Sequence, residues 1–108
     1  MYKVLRVEEG QLASFNVGLN HRHSVVYPTN TWVYPKLEGT KLFVFDTYEN
    51  ANRFLQSFSI FEDIMSYSRI YSCSVVNPVN PDYYDLFMPF GTKLVDAVYL
   101  EELINVNE

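Results

Sequence analysis

The chain of 108 residues predicts an α+β domain: a twisted, mainly antiparallel sheet of five or six strands with one main helix, residues 48–58, packed on one face. Three observations carry that prediction. Leu42, Phe43, Val44 and Phe45 form a continuous apolar run of strand length, suited to a position buried on both faces. Directly after it, Ala51, Phe54, Leu55 and Phe58 recur at i, i+3, i+4 and i+7, one apolar stripe that must lie on the sheet. Residues 68–76 then alternate, with Ile70, Ser72, Ser74 and Val76 on one side and Arg69, Tyr71, Cys73 and Val75 on the other.

Taken in order, residues 2–7 are β-prone, with Tyr2, Val4 and Arg6 facing opposite to Lys3, Leu5 and Val7. Glu8, Glu9 and Gly10 make a turn into a second strand at 11–17, whose Ala13, Phe15 and Val17 should face the core. Ser24 to Tyr27 is a short strand candidate ended by Pro28, and Trp32 and Tyr34 share a face if their segment is extended. Glu38-Gly39 turns the chain into the 42–45 strand. Asp46 or Thr47 then caps the helix, and Asp46 with Glu49 has the spacing of a capping box. Residues 59–66 read as a second short helix or an irregular turn. After the 68–76 strand, Asn77-Pro78 stops regular structure, and no regular element fits 77–92. Residues 93–103 permit helix or strand; the β content of Val95 to Leu100 selects strand.

Size and composition set the outer limits. A chain of 108 residues forms one domain, and an apolar share of 48% with nine Tyr and eight Phe suffices for a core. No window resembles a transmembrane span or signal core, and the lone Cys73 fits a reducing compartment, so a soluble, cytoplasmic protein is expected. Charge is uneven. Residues 1–53 hold six Lys/Arg against five Asp/Glu, and residues 54–108 hold two against eight, which together give the net −5. An acidic half argues against direct nucleic-acid binding, which depends on cations displacing counterions from phosphates. It reads as a solvated surface, or as a face for a basic partner.

Motifs for chemistry are sparse. His21 and His23 share a face if extended, yet two ligands do not hold zinc, so no metal site is expected. Cys73 sits mid-strand, where a thiol is usually buried and inert. Asp46 is a cap, and Glu62-Asp63 reads as a solvated corner. Gly10, Gly18, Gly39 and Gly91 are isolated, so no phosphate loop exists. No catalytic residue and no cofactor is predicted. The candidate site is instead a partner-binding loop in the proline-punctuated segment: Asp82, Tyr83, Tyr84, Asp85, Phe87, Met88 and Phe90. Its aromatic side chains bring large contact area with few rotors to freeze.

The Tyr2-Lys3-Val4 start, the Trp32 to Pro35 segment, the Gly39 to Phe45 strand, Ala51 with Phe54, and Val98-Tyr99-Leu100 resemble small accessory proteins encoded by phages and prokaryotes. That resemblance implies a viral or mobile-element origin and an accessory role, and it assigns no residue. The expected function is noncatalytic binding of a host protein, with inhibition of a host enzyme or defence complex; the oligomeric state stays open. The alternative is a small-ligand or nucleotide-binding domain. One form of it resembles the ADP-ribosyltransferases, with His21, Tyr27 and Glu101 or Glu102 as the trio, although the local motifs of that family are absent.

Overall fold

In the computed structural model, residues 1–15, 24–58, 60, 66–85 and 88–104 are described. They form one helix and seven strands: β1 (Tyr2–Glu8), β2 (Gln11–Ser14), β3 (Trp32–Val33), β4 (Leu42–Phe45), α1 (Tyr48–Gln56), β5 (Ser68–Val76), β6 (Thr92–Val95) and β7 (Ala97–Ile104). All described pairings are antiparallel, in the order β3-β7-β5-β1-β4-β6, with β2 also on β1. The α+β prediction holds, with more strands than the five or six expected. Thr92 extends regular structure back into the proline-rich stretch, because Leu94 bridges Val79 while Lys93 and Thr92 pair with Val44 and Phe45. The last stretch is thus two strands rather than one.

The sheet is rolled, and one residue shows why. Asp96 alone joins β6 to β7, yet β4, β1 and β5 lie between those strands in the sheet order. One residue spans only about 3.5 Å, so the two edges must curl toward each other. Asp96 donates its backbone N–H to the Val76 carbonyl at 2.9 Å, which fixes the corner. Glu101 is the extra residue at a bulge where the register shifts between Ser72 and Cys73, and such a bulge increases local twist. Inside the roll lies a cluster of Leu5, Val25, Tyr27, Val33, Leu42, Val44, Cys73, Val95, Val98 and Leu100.

The outer face carries the helix. Ala51, Phe54 and Leu55 pack with Val4, Phe45 and Ile70, and Phe15 meets Phe54 and Phe58 edge to face at 5.6 and 5.2 Å between ring centroids. Ala13 and Phe15 thus face a core as expected; Leu12 packs on the inner cluster, because both faces of the sheet are covered. The cap is Thr47, whose Oγ1 accepts the Asn50 N–H at 3.1 Å. Asp46 instead accepts from the Asn50 side-chain amide at 2.8 Å, so the Asp46–Glu49 box does not form. The helix ends at Gln56, although Phe58 still completes the stripe. At the first hairpin, Glu9 and Gly10 both take positive φ, 53° and 77°, as a two-residue turn of the right twist requires. Residues 24–27 contribute a single bridge, Val26 to Ala13, rather than a strand. The short helix or turn expected at 59–66 falls mostly outside the described residues.

Candidate functional site

One edge of β1 is shared between two strands, and the space between them is the candidate site. β2 pairs with Leu5 to Glu8, whereas β4 touches that edge only at Tyr2↔Phe45. Among the described residues, Lys3 and Val4 therefore have no strand partner on that side. The slot opens into a cavity of about 360 Å³, within the range of small-molecule sites. Val4, Phe15, Phe45 and Phe54 line it from the helix side; Lys3, Val25, Tyr27 and Leu42 line it from inside the roll. Residues of the β3–β4 connection, Pro35, Lys36, Leu37 and Thr40, close it from above. Phe43, expected to be buried on both faces, is 38% exposed, because it stands at this opening.

Lys3 is the unusual group. Alternation along β1 sends its side chain inward with Leu5, and only 7% of the residue is exposed. Its Nζ donates to the Phe43 carbonyl at 2.6 Å and lies 5.0 Å from the centre of the Tyr27 ring. Burial pulls its pKa down to about 8, against a smaller upward pull from Cys73. Tyr27 is itself 1% exposed; burial pushes its phenol up, and a side-chain hydrogen bond with Ser14 opposes that rise. Burial also pushes the Cys73 thiol up to about 11, while the N-terminal ammonium and Lys3 pull it back. Cys73 is thus the buried, protonated thiol expected from its mid-strand place.

The charge of the lining runs against that of the chain. Three of the four lysines, Lys3, Lys36 and Lys41, border the cavity, and none of the ten side-chain carboxylates among the described residues does. Lys41 is paired with Asp96 at 2.6 Å, which lies outside the lining, and that bond together with one from Asn77 lowers the Asp96 pKa. Among the described residues, neither Lys3 nor Lys36 takes part in an ion pair. The remaining walls are apolar and aromatic apart from the hydroxyls of Ser14, Tyr27, Thr40 and Thr92.

The predicted partner-binding residues lie elsewhere. Asp82, Tyr83, Tyr84 and Asp85 are exposed, Met88 is half-buried, and Phe90 is 69% exposed; Phe87 lies outside the described residues. Tyr84 and Phe90 stack at 5.6 Å, and Asp85 turns the chain by accepting the Met88 N–H at 2.8 Å. The segment is fastened at one end by Val79, bonded both ways to Leu94, and at the other by Gly91, whose carbonyl accepts the Asp46 N–H.

Other candidates separate. His21, His23, Glu62 and Asp63 lie outside the described residues. Of the transferase-like trio, Tyr27 is in the cavity wall while Glu101 and Glu102 are exposed on β7 and do not line it. No cluster of three His, Cys, Asp or Glu side chains occurs among the described residues, and no helix among them is long and apolar enough to cross a membrane. Sequence reasoning missed Lys3. The available signal was its place on the same strand face as Leu5 and Val7, a cation on an apolar face. No family model, no curated protein and no solved structure matches this chain.

Proposed function

We propose that the protein is a noncatalytic receptor for a small organic anion with an apolar body, bound in the cavity beside Lys3. The observation that supports this reading is the lining: apolar and aromatic walls, two unpaired lysines among the described residues, and no carboxylate, in a chain of net charge −5. A buried cation without a counter-ion is costly, and an anionic ligand relieves that cost by pairing with it. The aromatic rings supply the apolar contact that gives such a ligand most of its affinity. Titration calorimetry with 2-naphthoate and its neutral amide tests the reading. The acid should bind about tenfold or more tighter than the amide, as one charge-assisted bond implies, and Lys3→Met should remove the difference. Equal binding of acid and amide, or no binding of either, overturns it.

A second reading rests on the exposure of Tyr83 and Phe90 and the stacking of Phe90 on Tyr84. In it the 82–90 loop, Asp82, Tyr83, Tyr84, Asp85, Phe87, Met88 and Phe90, binds a host protein in the cytoplasm, as an accessory factor that blocks an enzyme or defence complex. Changing Tyr83 and Phe90 together to Ser should leave circular dichroism unaltered and abolish capture of that protein. Undiminished capture removes the loop from consideration.

A further inference from the structure

The shape of the Lys3 environment narrows the ligand class, on the assumption that the anion reading holds. Lys3 Nζ is deep, and Lys36 is an exposed residue bordering the same cavity. A simple carboxylate such as 2-naphthoate pairs with Lys3, whereas a carboxylate that also carries a carbonyl group can give its anionic end to Lys36 at the mouth and present the carbonyl to Lys3. Nζ has one hydrogen-bond partner among the described residues, the Phe43 carbonyl, which only accepts. Among the described residues no carboxylate pairs with it, and the Tyr27 ring face lies 5.0 Å away, an environment that tolerates a delocalised cation. We propose that the preferred ligands are oxo acids, carboxylates that also carry an aldehyde or ketone, and that Lys3 holds them as a reversible imine.

The step balances without an oxidant or reductant. The neutral Nζ gives its lone pair to the carbonyl carbon, the C=O π pair moves to oxygen, and that oxygen takes the proton the nitrogen releases. The resulting carbinolamine gains one proton from solvent and loses water, leaving a protonated C=N bond, and hydrolysis retraces the same steps. Desolvated lysines are the usual amines for this chemistry because a larger fraction is neutral near physiological pH, and burial acts on Lys3 in that direction. The hydroxyls of Ser14 and Tyr27, both in the wall, offer polar contacts for the ligand without competing for the carbon.

Reductive trapping tests this on the unmodified protein. With 4-carboxybenzaldehyde and cyanoborohydride near neutral pH, peptide mapping by mass spectrometry should find Lys3, whose burial favours the neutral amine, modified at least about tenfold faster than Lys93, which does not line the cavity. Excess 2-naphthoate should slow the modification of Lys3 and leave Lys93 unaffected. If 2-naphthoate binds but Lys3 reacts no faster than Lys93, the imine is wrong and the anion receptor stands. If 2-naphthoate does not bind and Lys3 shows no preference, both are wrong.

Discussion

A lysine inside a rolled sheet leaves a mark on stability as well as on binding. The folded-state pKa of Lys3 lies near 8, below the ordinary 10.5, so the folded protein binds fewer protons than the unfolded one between those values. Stability from this group therefore rises with pH across that window, and below about 8 the buried charge costs its full amount. Lys3→Met should stabilise the protein near neutral pH by up to about 3 kcal/mol, less what the Phe43 carbonyl loses. The gap between variant and wild type, read from urea midpoints, should close as pH rises from about 8 to 10.5. A gap that stays constant means that Lys3 titrates normally. The comparison must be a difference, because Cys73 and Tyr27, raised from 9.0 and 10.0, make the wild type less stable over the upper part of that range.

At the scale of elements, the strand, cap and helix of residues 42–56 organise the outer core. Phe54 is 6% exposed and meets Phe15, Phe45 and Phe58. Truncation to Ala should cost roughly 3–5 kcal/mol; an unchanged denaturation midpoint would show that the helix is not seated as described. Thr47→Ala should cost about 1 kcal/mol, and more than Glu49→Ala, since the Thr47 hydroxyl and not the Asp46–Glu49 pair holds the first turn. Helix, hairpin and the 68–76 strand were legible because each follows a local period or a turn residue. Which of Asp46 and Thr47 caps was not, since both have the chemistry and only backbone geometry separates them. Phe43 was misjudged for a related reason: an apolar run reports burial only if neighbours cover it, and β4 meets β1 at a single pair.

Across the whole molecule, the cavity arises from topology that no local pattern records. It exists because β2 and β4 diverge from one edge of β1 and because Asp96 forces the sheet to roll. The sequence shows Lys3 beside Leu5 but does not show that Lys36, Phe54 and Tyr27, far apart in the chain, surround the same space. Filling that space should stabilise the fold by mass action. At a free 2-naphthoate concentration a hundred times its dissociation constant, the gain is about 2.7 kcal/mol. Thermal denaturation with increasing ligand should show a steady rise in midpoint for the wild type and a smaller rise for Lys3→Met; identical rises would place the ligand away from Lys3.

The double fastening of the 79–91 segment, at Leu94 and at Asp46, has a consequence for engineering. Its ends are held by the sheet and by the helix start, so its length is a free variable. Doubling a loop adds only about 0.6 kcal/mol of closure entropy. A foreign peptide epitope spliced between Asp82 and Tyr83 should be displayed outward on an otherwise unaltered domain, making the chain a compact single-loop presentation scaffold.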